Sequence, residues 1–285
     1  MTRVVVTGGS GKAGRACVRD LLAHGYEVVN ADLVPPAEPL CPFSRVDLAD
    51  FGQAVEALSS IDDRIRGVDA VVHLAAIRAP GLYPNAVTFA TNTVSTYNVF
   101  EAARRLGVTD SVRASSETVL GLPFDTPPPY APVDEACPGR PESAYSLSKL
   151  LGEAMAEQFC RWDPRLKIVG LRLSNVMEPG DYARFPGFDA AARLRKWNLW
   201  GYVDARDAAQ AIRKALEADL KGAEVFVIAN ADTVMSRPNA ELMAEVFPGV
   251  PLRDGVGPNE TLLSIDKARR LLGYAPEHGW RHQAR

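Results

Sequence analysis

The chain has 285 residues, 47% hydrophobic and 24% charged, with a formal net charge of -3. That is the make-up of an ordinary globular protein, long enough for one large domain or a domain with a smaller lobe. The charge gives no reason to expect a nucleic acid or an anionic membrane as partner, and no apolar run approaches the roughly 20 residues of a membrane span. Four cysteines (Cys17, Cys41, Cys137, Cys160) are far apart without a C-x-x-C pair, and four histidines are scattered. Neither a disulfide framework nor a metal site is expected. The chain runs directly from its first residues into a strand-like stretch, so no signal peptide is expected and the cytoplasm is the default location.

Arg3 to Thr7 is a short β-branched run that reads as a buried strand. Glycines 8, 11 and 14 follow, spaced G-x-x-G-x-x-G, and then a helical stretch from Arg15 to His24. The first glycine permits a tight turn, the second lets backbone approach a pyrophosphate, and the third lets helix and strand pack closely. The N–H groups and dipole of the helix start then favour phosphate. The stretch is not a Walker loop, because Ala13 follows Lys12 where a Ser or Thr is required. Gly25 ends the helix, and Glu27 to Ala31 is a second strand ending at Asp32. A carboxylate about 20 residues past the glycines can accept both hydroxyls of an adenosine ribose and would repel a 2′-phosphate, so it favours NAD over NADP.

Pro35 to Pro42 is a loop, Arg45 to Leu48 a short strand whose Asp47 is placed to meet an adenine, and Asp50 to Ser60 a helix. Asp69 to Leu74 is a strand running into Ala75 and Ala76, small residues that let a cofactor lie close. His73 reads as a core or edge imidazole with a satisfied hydrogen bond. Arg78 lies just beyond, on the expected ligand side. A long helix over Asn85 to Arg105 contains Asn92. Asp110 to Ser115 is the next strand, with Ser116 and Glu117 at its end. Seven prolines between Pro123 and Pro141 make a long loop expected over the site.

Ser143 is a candidate N-cap for a helix to Arg161 that carries Tyr145 and Lys149. Four residues apart on a helix, the two side chains share a face. An ammonium near a phenol favours the phenolate, so the Tyr145 pKa is expected to fall toward the working pH, as a general acid/base for an alcohol/ketone pair requires. Leu166 to Leu173 is a buried strand, Phe188 to Lys196 a helix, Asp204 to Ala218 a helix, Glu224 to Ala229 a strand, Ser236 to Phe247 a helix, and Asp266 begins a short helix ended by Gly273. The aromatic cluster Trp197, Trp200 and Tyr202 reads as lobe core. Strand and helix alternate almost throughout, which gives an α/β protein with a parallel sheet covered on both faces.

These residues resemble a known family, the extended short-chain dehydrogenases/reductases, also called the NAD-dependent epimerase/dehydratase family. Thr7 to Gly14 is similar to its TGxxGxxG loop, Asp32 to its ribose-binding acid, Asp47-Leu48 to its adenine contact, and His73-Leu74-Ala75-Ala76 to its HLAA strand end. Ser116, five residues before Gly121, falls at the catalytic Ser, and Tyr145 and Lys149 form the YxxxK. Arg172 to Gly180 is similar to RxxNVxGPG with Asn175 at the Asn, and Asp266 to Pro276 to the C-terminal D-K-A…LG-Y-x-P helix. The resemblance implies a Rossmann-type doubly wound parallel sheet of about seven strands with a small C-terminal substrate lobe. Residues 1–174 and 201–229 would form the NAD-binding part, and 175–200 with 230–285 the lobe.

The activity implied is hydride transfer: Tyr145, Lys149 and Ser116 catalytic; Gly8, Gly11, Lys12, Ala13, Gly14, Asp32, Asp47, Leu48, Leu74, Ala75, Ala76 and Asn92, with Tyr145 and Lys149, around NAD; no metal. Leu120 departs from the Tyr common before Gly121, and Glu117 places a carboxylate beside the Ser. Few residues separate Asn175 from Asp204, where nucleotide-sugar enzymes usually carry a longer insert. This resembles the compact uronate-dehydrogenase-like members, and Glu178 to Tyr182 with Arg184 looks like their carboxylate loop. Arg78, Ser116, Glu117, Asn175 and Arg184 are the candidate substrate contacts. The expected activity is an NAD-dependent dehydrogenase acting on a small sugar, sugar acid or related alcohol. The alternatives are an epimerase or dehydratase that retains NAD, and a non-catalytic NAD-binding regulator. The two long helices are where this family often pairs into a four-helix interface, so a homodimer is expected.

Overall fold

The computed structural model describes residues 2–62 and 65–283. The chain begins with β1 (Arg3–Thr7), α1 (Lys12–Ala23), β2 (Glu27–Asp32), β3 (Phe43–Arg45), α2 (Phe51–Ser59), a small antiparallel pair β4 (Ser60–Asp62) and β5 (Ile65–Arg66), β6 (Ala70–His73) and α3 (Asn85–Leu106). It continues with β7 (Asp110–Ser116), a 3-10 turn at Glu117–Leu120, α4 (Ala144–Trp162), β8 (Lys167–Leu173) and β9 (Val176–Met177). A 3-10 winding over Pro179–Asn198, β10 (Val203–Asp204), α5 (Ala205–Glu217), β11 (Gly222–Ile228), α6 (Asn239–Val246), α7 (Asp266–Leu272) and α8 (Trp280–Gln283) complete it.

Seven strands form one parallel sheet in the order β3-β2-β1-β6-β7-β8-β11. The chain builds outward from β1 to β3, then returns to place β6 on the other side of β1. Strand order therefore reverses between β1 and β6, and the crevice beyond their C-terminal ends is where sheets of this kind bind ligands. Side chains of successive residues leave a strand on opposite faces. Val4 and Val6 accordingly enter one core while Val5 enters another, and all three are fully buried. Such double burial is why these strands are unbroken apolar runs.

The larger core runs without interruption from Val4, Val72 and Phe226 in the sheet to Trp200, Leu242, Leu263 and Tyr274 beyond it. Of the aromatic cluster, Trp200 and Tyr202 are fully buried and Trp197 is half-buried, and Tyr202 packs edge-on against Tyr182 and Phe185. The proline-rich loop is tied to the later chain rather than lying free: Ala131 N–H donates to the Pro251 carbonyl at 2.9 Å, and Val133 N–H to the Leu262 carbonyl at 2.9 Å.

Several expected elements shift. The strand expected over Arg45 to Leu48 pairs instead at Phe43 to Arg45, leaving Asp47 in a turn where its carboxylate accepts the Ala49 N–H. The helix expected over Phe188 to Lys196 is part of the 3-10 winding, broken at Ala191 (φ -144°, ψ 59°). Pro186 lies inside it and removes a donor an α-helix would need. The helix expected from Ser236 starts at Asn239, after Pro238.

The best-defined helix start is that of α4. Ser143 Oγ accepts the Ser146 N–H at 3.1 Å and Ser146 Oγ accepts the Ser143 N–H at 2.9 Å, a reciprocal cap around the turn that carries Tyr145. Ser143→Ala is expected to lower stability by about 1 kcal/mol, read as a lower urea midpoint at unchanged slope. An unchanged midpoint would show that the cap contributes nothing.

Candidate active site

The glycine loop leaves β1 at the switch point. Gly8 has φ +71°, and a Cβ there would lie 2.6 Å from the Ala75 nitrogen. A Cβ on Gly14 would lie 2.1 Å from the Gly8 carbonyl oxygen. Both positions exclude a side chain because backbone already occupies the space. Gly11 differs: its nearest neighbour would be the Gly8 oxygen at 3.4 Å, so it faces open space. Gly11 is also the N-cap of α1 and supplies no side-chain cap, which leaves the first N–H groups at Lys12 and Ala13 without a side-chain partner. An unblocked helix start behind a glycine-lined opening fits a pyrophosphate.

Asp32 ends β2 beside this loop, where its carboxylate accepts the Ser10 N–H at 3.0 Å and the Val34 N–H at 3.2 Å. Two backbone donors leave lone pairs for the hydroxyls of a ribose. Leu74, Ala75 and Ala76 leave β6 half-buried, with Leu74 N–H bonded to the Thr7 carbonyl at 3.0 Å. Leu48 is buried and its carbonyl accepts Asn98 Nδ2 at 2.9 Å, a support not foreseen from sequence. Asn92 is spent internally: it exchanges two bonds with the Ile77 backbone, at 2.8 and 3.1 Å, and reaches Ser148 Oγ at 3.4 Å. It fixes the loop after β6 against α4. His73 matches its reading as a satisfied core imidazole, sharing hydrogen bonds with Thr7 (2.8 Å) and Thr96 (3.3 Å), and burial holds its pKa well below the ordinary range.

Ser116, Tyr145 and Lys149 come together where β7 ends against the first turns of α4. Ser116 Oγ accepts the Thr118 N–H at 3.2 Å and the Thr118 hydroxyl at 3.0 Å, and it lies close enough to the Tyr145 phenol to favour its ionised form. Lys149 Nζ lies 5.7 Å from the Tyr145 ring centroid and donates to the Ala114 carbonyl at 2.9 Å. The expected fall of the Tyr145 pKa does not occur among the protein's own groups. Burial raises it, the Ser116 hydroxyl lowers it, the Glu117 charge raises it and the Arg113 charge lowers it, with a net rise. Burial and the neighbouring Arg113 bring Lys149 down to about 7, so its own charge is weakened. Tyr145 and Lys149 share a face of α4, but their electrostatics depend on burial and on a cation in β7.

Glu117 does not face open space. It is buried, and Ser174 Oγ and Asn198 Nδ2 both donate to its carboxylate, the latter at 3.0 Å. It is a strut from the end of β7 to the chain after β8, which corrects its reading as a substrate contact. Asn175 in turn accepts the Val203 N–H on its carbonyl at 3.0 Å. Arg195, held on Gly201 and stacked 4.3 Å from the Trp197 ring centroid, faces the same carboxylate.

Arg184 and Arg78 are not brought into a shared contact. Arg184 is exposed (side chain 75%) and pairs with Asp181 at 2.9 Å. Arg78 is exposed, with no ion pair recorded among the described residues. Lys12 Nζ also binds Asp181, at 2.6 Å, and Arg15 binds Glu178 at 2.9 Å, so the segment after β9 is tied to the start of α1. Burial opposes ionisation of Asp181, yet the Glu178 N–H, Lys12 and Arg184 together hold it below the usual carboxylate range. A separate cleft of about 590 Å³ opens between α1, α5 and Glu277–His278. Ser116, Tyr145 and Lys149 do not line it, and its arginines are ion-paired, Arg19 to Glu38, Arg206 to Asp204 and Arg213 to Asp20.

Residues 4–229 match the NAD dependent epimerase/dehydratase family. The L-arabinose 1-dehydrogenase (NAD(P)(+)) of Haloferax volcanii is 27% identical over 247 residues, covering 83% of this chain and 92% of that protein. The uronate dehydrogenase of Pseudomonas syringae pv. tomato is 27% identical over 203 residues, covering 70% of each. The solved structure of the Thermus thermophilus UDP-glucose 4-epimerase in complex with NAD superposes with a TM-score of 0.68 at 27% identity, covering 98% of this chain and 95% of that one. The chain belongs to the NAD-dependent epimerase/dehydratase family, and is an NAD-dependent enzyme of the extended short-chain dehydrogenase type.

Burial lifts Glu117 from 4.5 to about 7, against the bonds from Ser174 and Asn198. The native state therefore keeps a proton that the unfolded chain has released. The resulting stability is full below about pH 4.5 and is lost as pH rises through about 7. Glu117→Gln cannot titrate, so its stability relative to the parent should rise across that window by roughly 1–3 kcal/mol. Urea midpoints for both proteins along the pH series measure this. A constant difference across the window would contradict it.

Proposed function

We propose that the protein oxidises a hydroxyl-bearing carbon of a small sugar, sugar acid or related alcohol, with Tyr145, Ser116 and Lys149 as the reacting group. The observation that carries this is Ser116 at the end of β7 beside the Tyr145 phenol, with Lys149 Nζ 5.7 Å from the Tyr145 ring centroid one turn along the same helix. NAD, when bound, accepts the hydride. Tyr145, as phenolate, takes the proton from the substrate hydroxyl. Ser116 donates to the same oxygen and offsets the charge that develops there in the transition state. Lys149, already held on the Ala114 carbonyl, keeps protons to donate to a ribose. Gly8, Gly11, Gly14, the N–H groups at Lys12 and Ala13, Asp32, Asp47, Leu48, Leu74, Ala75 and Ala76 surround the dinucleotide, and Asn92 fixes the loop beside it.

The short stretch between β9 and β10 supports a substrate without a nucleotide handle, as do the names of the arabinose and uronate dehydrogenases. Arg184 and Arg78 are our candidates for a substrate carboxylate. An ion pair as exposed as Arg184–Asp181 is worth at most about 1 kcal/mol. Its release does not strand Asp181, which keeps Lys12. Residues 1–174 and 201–229 serve as the NAD-binding part, and 175–200 with 230–285 as the substrate lobe. The outward faces of α3 and α4 carry Val87, Val94, Tyr97, Leu147 and Trp162, each at least 39% exposed, which supports a homodimer through these helices. No helix among the described residues is long and apolar enough to cross a membrane, and we place the protein in the cytoplasm.

The test is NADH formation from NAD with a panel of neutral sugars, uronic acids and hydroxy acids. Continued turnover is expected with at least one. No turnover together with tightly retained NAD would favour the epimerase or dehydratase reading, and NAD binding without any reaction would favour a regulator. Tyr145→Phe should still bind NAD but lose roughly a hundred- to ten-thousand-fold in kcat; retained kcat would remove Tyr145 as the base. Arg184→Ala should raise KM for acidic substrates roughly tenfold or more, with little change for neutral sugars. Equal loss on both would remove the carboxylate contact.

A further inference from the structure

We propose that Arg113 is a positioning residue of the reaction: a permanent cation, packed against the turn of α4 that carries Lys149, that sustains the phenolate of Tyr145. The proposal rests on Tyr145 being the proton acceptor.

Arg113 lies in the middle of β7 and is 1% exposed, among the largest fully buried side chains of the protein. Its guanidinium reaches across to α4, where Nη1 faces the Lys149 carbonyl oxygen at 3.4 Å. A Cβ at position 152 would lie 2.2 Å from Nη2, so the glycine one turn after Ser148 is what admits the group. Nε has no hydrogen-bond partner among the described residues.

A guanidinium buried only to hold elements together is normally matched by a carboxylate in a forked, two-bond contact. The protein shows one a few residues away. Arg172 of β8 donates to both oxygens of Glu153 on α4, at 3.0 and 2.8 Å, and Ser115 Oγ donates a further bond to that carboxylate. Glu153 is thereby occupied and gives Arg113 its charge without a direct bond. Among the described residues no other anion serves. His73, from β6, is neutral, and Glu117, from the 3-10 turn, is lifted to about 7 by burial. Arg113 and Arg172 thus share one carboxylate, with Lys149 as a further cation beside Arg113. The cluster lacks a negative charge, and the titratable group in electrostatic reach that could supply one is the Tyr145 phenol.

The two cations near that phenol behave differently. A lysine sheds its proton when buried beside another charge, while a guanidinium does not deprotonate in proteins. Burial and Arg113 bring Lys149 to about 7. Arg113 is therefore the charge that persists when Lys149 is neutral. In the oxidation step the proton passes from substrate hydroxyl to Tyr145 oxygen as the hydride leaves for NAD, and Arg113 gains and loses nothing.

The test reads Tyr145 directly. With NAD bound, the ultraviolet absorbance of phenolate is titrated, and the same titration of Tyr145→Phe is subtracted. Arg113→Met should move the Tyr145 transition upward by about one pH unit or more. Lys149 does not replace the lost charge, since burial, the larger cause of its depression, remains. Arg113→Gln, which keeps a donor for the Lys149 carbonyl, is the second neutral variant should the first fail to fold, with the same shift expected. An unmoved transition in either folded variant overturns the proposal. The titration needs no substrate. A shift in a protein that turns nothing over would support Arg113 and count against the dehydrogenase reading, and turnover with no shift would do the opposite. Where turnover is found, the acid limb of the kcat–pH profile should move with the phenol.

Discussion

The active end of this molecule depends on one buried carboxylate. Glu153 sits one turn beyond Lys149 on α4, accepts two bonds from Arg172 on β8 and one from Ser115 on β7. Those elements carry the groups that come together there: Ser116 at the end of β7, and Tyr145 and Lys149 on α4. Taking two charges out of water costs several kcal/mol each, and the cost is offset only when the remaining lone pairs are filled. Here both oxygens are engaged, so the pair acts as a fixed pin. Loss of one partner would leave the other buried and uncompensated, a change of roughly 3–5 kcal/mol. The same desolvated setting governs the chemistry, because it raises Tyr145, weakens the charge on Lys149, and makes the charge on Arg113 felt.

A second constraint holds the cofactor side. The strand order reverses between β1 and β6, and backbone packs on backbone there: Gly8 against Ala75, Gly14 against Gly8. The loop that results presents Gly11 and the open start of α1, with Asp32 at one side. The segment after β9 is latched to the same helix by Lys12–Asp181 and Arg15–Glu178, and Glu117 is bonded to Ser174 and Asn198. One continuous core underlies sheet and later chain alike. The later chain is therefore fixed against the sheet by ion pairs and packing.

Much of this was legible in the sequence because it is local. The β1 run, the glycine spacing, Asp32 at a strand end, Ser143 as a cap and the shared face of Tyr145 and Lys149 each follow from a few adjacent residues. What was not legible depends on tertiary burial. Glu117 beside Ser116 read as a site carboxylate, but its partners, Ser174 and Asn198, come from far along the chain. The effect of Lys149 on Tyr145 read as a simple attraction, and the answer turned on desolvation and on Arg113. Arg113 carries its own signal in the sequence, a charge in the middle of the strand over Asp110 to Ser115. The winding over Pro179–Asn198 defeated helical spacing because Pro186 lies within it and the chain breaks at Ala191.

In the proposed reaction hydride leaves a substrate carbinol carbon and departs as NADH. A substrate from the accepted class, deuterated at that carbon, tests it most directly, with the released cofactor and the product examined by mass spectrometry. The account predicts deuterium at the nicotinamide ring of free NADH and a ketone or lactone product without it. Deuterium retained in an isomerised or dehydrated product, with no labelled cofactor released, would contradict it and identify a hydride that is returned.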